Sequence, residues 1–421
     1  MTVSVTHRET CRLCDSRNVE LVVKLQPIPL AERYAASRQA AQSAEVYPVD
    51  LYMCVDCGHV QQLDVIDTQS LWEEYTYYSG QAKGMVEHFA QVSAKIRSTY
   101  GLPADALVVD VGSNDGSLLR PFRQAGYRVL GIDPAREIAH QATQAGIETI
   151  PEVLSLRLAR EIRQRHGPAH VVCVFNAFAH ADDLGEMAEG VSHMLDDDGL
   201  FVFEAQYLLD VVDKVLIGTI FHEHMSHHSV KPLQRFLDRH GMELIDVERV
   251  PIQHGSLIGT VQHRGGRRPI SDAVGRLLAL ETQRGLDRPA TLRAFADRIA
   301  RLRRDVDALV RAWKQTGVTV AGYGAARSGP TLISQLGLRG VIDFIVDDHP
   351  QKVHRFSPGD GIPILPTAQL YERMPAYTVI LAWVHAKRII ESNRRYLDGG
   401  GHFVVLGPEV RVVGAPGDVG A

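Results

Sequence analysis

The sequence predicts an α/β protein in three parts: a small N-terminal segment built around cysteines, a central doubly wound domain, and a second doubly wound domain at the C-terminus. Three observations carry this reading. Apolar runs of strand length alternate with helical patterns from residue 106 to 204 and again beyond 318, as in right-handed βαβ units around a mostly parallel sheet. In each stretch the first run ends in a glycine-rich turn that opens a helix, at Gly112–Gly116 and at Gly322–Gly324. A chain of 421 residues is also too long for one ordinary core. The expected divisions are 1–70, 71–265 and 266–421.

Composition bounds the function. With 45% apolar and 23% charged residues the chain falls in the soluble globular class. A net charge of −5 gives no reason to expect nucleic acid or an anionic membrane as partner. No stretch is long and apolar enough to span a bilayer, and residues 1–10 lack the apolar run of a signal peptide. The expected location is the cytoplasm, where thiols stay reduced, and the expected state is a monomer or weak oligomer.

The first segment carries Cys11-x-x-Cys14 and Cys54-x-x-Cys57 among short β-like runs at Val19–Leu25, Asp50–Met53 and Val60–Leu63. Two thiolates on one tight knuckle fill two corners of a tetrahedron, and a second knuckle closes it. Four thiolates leave no open position, so the expected zinc is structural, in a segment too small to rely on burial alone. Four unrelated buried cysteines and a DNA-binding zinc ribbon are the competing readings; the lack of a basic patch weighs against the second. Cys173, alone inside Val171–Phe175, reads as an inert core thiol.

The central segment opens with Tyr75, Tyr77 and Tyr78. Strand-like runs follow at Ala106–Val111, Arg128–Ile132, Ile147–Ile150, His170–Phe175 and Leu200–Phe203, the last ending at Glu204. The run Val108–Leu119 holds Asp110-x-Gly112-x-Asn114-Asp115-Gly116. Gly112 and Gly116 permit tight turning and close backbone approach. Asp110 and Asp115 suit a ligand ammonium and are poor neighbours for a pyrophosphate. Asp133 ends the next strand, where a ribose-binding carboxylate belongs, and Asn176 ends the fourth near the same crevice. The spacing fits S-adenosylmethionine better than a dinucleotide, whose fingerprint is G-x-G-x-x-G. A glycine turn without a ligand is the plain alternative.

The block Phe221-His222-Glu223-His224-Met225-Ser226-His227-His228 has three readings. A metal site lacks the H-E-x-x-H spacing on a clear helix. A solvated polar loop is the bland reading. An acid–base centre is favoured, because histidine titrates near neutrality and a neighbouring carboxylate orients it. His180 would share the same sheet edge.

Residues 270–313 read as helix, with Leu292, Phe295, Ile299, Leu302, Val306, Leu309 and Trp313 as a packing seam. The third segment repeats strand, glycine turn and helix at Val318–Gly329, then continues through Val341–Val346, Thr378–Ala382 and Phe403–Leu406. Gly322-x-Gly324-x-x-Arg327 is a weak phosphate signal, to which Arg327 and Lys352 add charge. A nicotinamide cofactor, NADPH, and a plain packing turn both stay open there. Gly414–Ala421 reads as a loose tail.

In combination these blocks resemble the nucleotide-sugar C-methyltransferases, which alkylate keto-deoxysugars of antibiotics, and most of all the deoxysugar 3-C-methyltransferases. The resemblance covers nearly the whole chain. It rests on the cysteine pairs, Asp110–Leu119, Gly218–Ser226 continued by Lys231-Pro232-Leu233 and by His254–Leu257, and Gly322–Ala326 with Lys352 and Ile362–Ile364. It implies a zinc domain that covers the substrate, a Rossmann-like domain that binds S-adenosylmethionine, and a Rossmann-like C-terminal domain that helps hold a thymidine diphosphate sugar. It carries the role of base onto His224, with Glu223 beside it. His180 and a tyrosine among Tyr75, Tyr77 and Tyr78 would contact the sugar. His254, Tyr323, Gly324, Arg327 and Lys352 would bind substrate. Phe221 departs from the family's tyrosine, which puts a proton-transfer role at that position in doubt.

The expected reaction is removal of the C3 proton of a thymidine diphosphate 4-keto-deoxysugar by neutral His224, then methylation of the carbanion carbon. His222, His180 or a tyrosine would stabilise the enolate oxygen. Rival readings are methylation at C5, NADPH-dependent reduction of the 4-keto group alone or beside methylation, and a zinc-dependent binding protein without catalysis.

Overall fold

The computed structural model describes residues 3–67, 71 and 77–414. Tyr75 and the tail beyond Gly414 lie outside the described residues. Seven of the strands between Leu107 and His263 form one sheet in the order Thr149–Ile150, Arg128–Ile132, Leu107–Val111, Ala169–Phe175, Leu195–Gln206, Ser256–His263, Met242–Val250. The first five are parallel, and Ser256–His263 runs antiparallel to both its neighbours. Helices cover both faces, so the middle strand Leu107–Val111 is buried at every position and reads as a continuous apolar run broken only by Asp110. The strand order reverses between Leu107–Val111 and Ala169–Phe175, and that reversal opens the crevice in which such sheets bind ligands.

The C-terminal sheet repeats the plan with six strands: Ile364–Leu365, Phe344–Val346, Val320–Tyr323, Tyr377–Ile380, His402–Leu406 and an antiparallel Val410–Val413. In the chain the long helix Pro289–Thr316 links the two sheets, and it packs against the strands Val19–Val23 and Val410–Val413. Proline opens it and Gly317, in the left-handed region, ends it. Its buried stripe is Leu292, Phe295, Ile299, Leu302, Val306, Val310 and Trp313. The seam takes Val310 where the sequence pattern put Leu309, since a step of four keeps pace with the 3.6-residue turn and Leu309 rotates to a half-buried flank.

The N-terminal segment does not stand alone. Its sheet orders Ser226–His227, Val60–Gln61, Leu51–Cys54 and Val19–Val23, so a strand from the middle of the histidine block is its edge. Its other side grips the C-terminal domain: Gln26 and Gln335 exchange hydrogen bonds of 2.8 and 2.7 Å, and the Tyr34 hydroxyl donates to Ala325 O at 2.6 Å. Among the described residues no helix is long and apolar enough to cross a membrane.

Candidate active site

Gly112 turns out of the first strand with φ +76°, and a Cβ there would lie 2.5 Å from that of Ala177 across the crevice. Only glycine fits at that approach. Asp110 is buried, with Oδ1 lacking any partner, and burial with help from Asp133 pushes its carboxyl well above the usual range. Asp133 ends the second strand and accepts from Asn114 N at 2.8 Å and Ala135 N at 2.9 Å. Asn114 bonds Ser79 N and Tyr77 O, both at 2.9 Å, and Asp115 accepts from Gly80 N at 2.9 Å and from the Ser117 hydroxyl at 2.6 Å. The polar side chains after Gly112 thus hold residues 77–80 over the turn. Gly116, at φ +75°, packs on Ile147. Across the crevice Asn176 adopts φ 55° and donates its side-chain amide to Glu204 Oε1 at 3.1 Å.

From Asn176 a single turn, Phe178–His180, carries His180 to the histidine block. The His180 and His224 rings stack at 5.1 Å and 23°. His224 Nδ1 lies 2.7 Å from Thr219 O, so Nδ1 carries the proton and Nε2 keeps its lone pair. Burial first, then Arg327, brings its pKa down to about 4, against the Thr219 bond. The ring is therefore neutral at physiological pH and competent as a base. Burial, His224 and Arg327 likewise keep His180 neutral. Phe221 packs its ring 4.1 Å from that of His224.

The turn bearing this histidine is clamped from the cysteine segment. Gln62 donates through one amide group to the carbonyls of Phe221 and His224, each at 2.9 Å, and its backbone N–H reaches Met225 O at 2.9 Å. Arg12, next to Cys11, bonds Gln61, the Gln62 carbonyl and Asp182. His222 faces the other way, toward Tyr47 O at 3.2 Å, and burial holds it near 4.

Glu223 is buried and paired with Arg327 of the C-terminal glycine turn. Burial raises its carboxyl against the pull of that guanidinium. Arg327 lies 4.0 Å from Glu32 and 5.7 Å over the Tyr77 ring, while Lys352 sits 3.0 Å from Glu32 and 2.9 Å from Ala325 O. Two cations and two carboxylates from all three parts thus meet beside a small cleft lined by Leu30, Glu32, Phe221, His222, Glu223 and Arg327. Tyr78 borders the held segment. The C-terminal turn is internally satisfied: Gly324 N donates to Val346 O and Ala325 N to Asp347, each at 2.8 Å, and a Cβ on Gly324 would lie 2.4 Å from that of Ala382. Tyr323 turns its hydroxyl toward Asn393, 3.4 Å away. His254 lies on the rim against Trp383, ring to ring 4.8 Å.

The four paired cysteines converge, their sulfurs all within 4.8 Å of one another, with Cys11–Cys57 at 3.6 Å and Cys14–Cys54 at 3.5 Å. Bonds of about 2.3 Å to a tetrahedral zinc place sulfurs roughly 3.8 Å apart, so the donor set fits that ion. Each knuckle is closed by a backbone bond, Asp15 N to Cys11 O and Gly58 N to Cys54 O. Hydrogen bonding among the thiols of the cluster pushes Cys54 down and Cys11 up to about 12.

Sequence reasoning passed over Gln62, Arg12, Glu32 and the pair His88–Glu204. Glu204 alone had a local signal, a carboxylate at a strand end. The others act across 49 residues or more and leave no pattern in any short window.

Three family models match the chain. Residues 11–72 match a family model described as "Putative zinc binding domain", 85–247 one described as "Methyltransferase domain", and 251–408 one described as "C-methyltransferase C-terminal domain". Over 408 residues, 97% of either chain, the sequence is 35% identical to the C-methyltransferase NovU of Streptomyces niveus. Similar solved structures include a SAM-dependent methyltransferase from Anabaena variabilis (14% identity, TM-score 0.38, 47% of this chain and 96% of that one). Another is the magnesium protoporphyrin IX methyltransferase ChlM from Synechocystis with bound SAM (18% identity, TM-score 0.33, 42% and 79%).

Proposed function

The chain belongs to the C-methyltransferase family and depends on S-adenosylmethionine; on that premise we propose that its acceptor is the carbon beside the ketone of a thymidine diphosphate 4-keto-deoxysugar, C3 in preference to C5, in the making of an antibiotic sugar. The observation that carries this reading is the His180–His224 stack. It ties a neutral base to the edge of the sheet that ends in Asn176, where the methyl donor belongs.

Bound S-adenosylmethionine supplies an electrophilic methyl carbon. The protein's residues supply the rest. His224 Nε2 takes the proton from C3 as the C3–H electrons form the enolate double bond and the carbonyl electrons move to oxygen. The enolate carbon so formed would take the methyl group as that group's bond to sulfur breaks, its electrons staying on the sulfur of a neutral thioether. The Nδ1–Thr219 bond fixes the tautomer and disperses the charge that His224 gains. His180, Tyr77 or Tyr78 would donate to the enolate oxygen, where charge develops. Arg327 and Lys352 would meet the diphosphate.

The test combines product and variant. The native enzyme, given a 4-keto sugar nucleotide, should yield a product one methylene heavier and exchange the C3 proton with solvent deuterium. His224→Asn should keep its affinity for S-adenosylhomocysteine and lose turnover and exchange by roughly 100-fold or more. Turnover within tenfold of native, about 1.4 kcal/mol, would remove His224 from this role. NADPH consumption without the methyl donor would instead mark a ketoreductase.

A further inference from the structure

Glu204 is wholly buried in the fifth strand of the central sheet, yet it is ionisable and lies in register with Phe175, the last residue before Asn176. Burying a carboxylate is costly unless its oxygens are filled. Both are: Oε2 by His88 Nε2, Oε1 by the Asn176 side-chain amide at 3.1 Å. The Glu204 backbone carbonyl also accepts from Asn176 N at 2.9 Å. Both donor groups of Asn176 are therefore turned to Glu204, leaving its carbonyl and Oδ1 as acceptors at the sheet's reversal. His88, itself only 8% exposed, comes from the helix Lys83–Tyr100, whose leading segment is held by Asn114 and Asp115.

Asn176 sits at φ 55°, a left-handed conformation that asparagine tolerates but does not hold unaided. We propose that the His88–Glu204 pair is a positioning device for the methyl donor: by locking Asn176 in this conformation it aims that residue's acceptors at the α-ammonium of S-adenosylmethionine. Glu204 is not itself the ligand, since neither oxygen is open to the crevice. The inference rests on the crevice being the methyl-donor site.

The probe is S-adenosylhomocysteine, with its affinity measured by calorimetry on the full chain. Glu204→Gln leaves one acceptor for two donors and should weaken binding about tenfold, and Glu204→Leu at least as much. The KM for S-adenosylmethionine should rise in step, with kcat at saturation within about threefold of native. Asn176→Gly adopts the left-handed backbone freely, so in that background Glu204→Gln should change affinity by less than about twofold. A purely structural pair would lower the melting temperature and leave the affinity of the folded protein alone. Unchanged affinity in Glu204→Gln, or an equal loss in the Asn176→Gly background, would overturn the positioning role. A native protein without affinity for S-adenosylhomocysteine would fell the reading of the crevice, and this inference with it.

Discussion

A histidine can accept a proton only while it is uncharged, and burial keeps the rings of this block neutral at neutral pH. His222, His224 and His228 are each brought down to about 4, and His227 to about 3, with burial the first cause in every case. In the unfolded chain the same rings titrate near 6.5. Between those values the unfolded state binds more protons than the folded one, so the stability these rings confer is complete above about 6.5 and is lost as pH falls toward 4. The expected outcome is an unfolding free energy, measured with urea, that drops steeply between about pH 6.5 and about pH 5, by on the order of 2 kcal/mol for each ring still neutral in the fold. Methyl transfer should hold level with pH down to the point where the protein loosens. An activity limb near pH 6.5 in a still-folded enzyme would mean that His224 titrates as an ordinary exposed ring.

At the scale of elements, the loop that bears His224 leads into a helix whose start is held from outside it. Helix Val230–Arg239 begins directly after His228–Ser229, and its first amides find their acceptor not in a local cap but in Glu281 of the helix Asp272–Arg284. That carboxylate takes Val230 N at 2.6 Å, Lys231 N at 3.0 Å and the Tyr207 hydroxyl at 3.0 Å. Glu281→Ala strands three buried donors and should cost about 2–3 kcal/mol of stability by chemical denaturation. A loss below roughly 0.5 kcal/mol would show that water serves the helix end as well. The same contrast between local and distant contacts explains what could be read from the sequence. Strands buried on both faces leave unbroken apolar runs, so Leu107–Val111 and Ala169–Phe175 were legible, as were the cysteine knuckles. The pairing of Ser226–His227 with Val60–Gln61 was not, because a two-residue strand has no period. Asp115 shows another limit: a carboxylate suited to a ligand ammonium is equally suited to the backbone amide of Gly80, and only the fold reveals that it binds this one.

In the whole molecule the crevice proposed for the methyl donor and the histidine proposed as base are held by different parts. The crevice is built within the central sheet, from Gly112, Asp133, Asn176 and the segment from Tyr77 to His88. The loop of the proposed base leads into Ser226–His227, the edge strand of the cysteine sheet, and is clamped by Gln62, whose carbonyl is held in turn by Arg12, the residue after Cys11. Four thiolates freed of a cation repel one another, and Cys14 is only half buried, so a chelator has access to the site. Stripping zinc should therefore abolish methyl transfer while leaving S-adenosylhomocysteine affinity within about twofold, and amides that pair the two strands, Gln62 among them, should exchange faster with deuterium. Restoring the metal should restore both. Loss of cofactor affinity in parallel with activity would mean that the cysteine sheet supports the molecule as a whole. Full activity after verified removal would mean that Gln62 and Arg12 hold the loop without it.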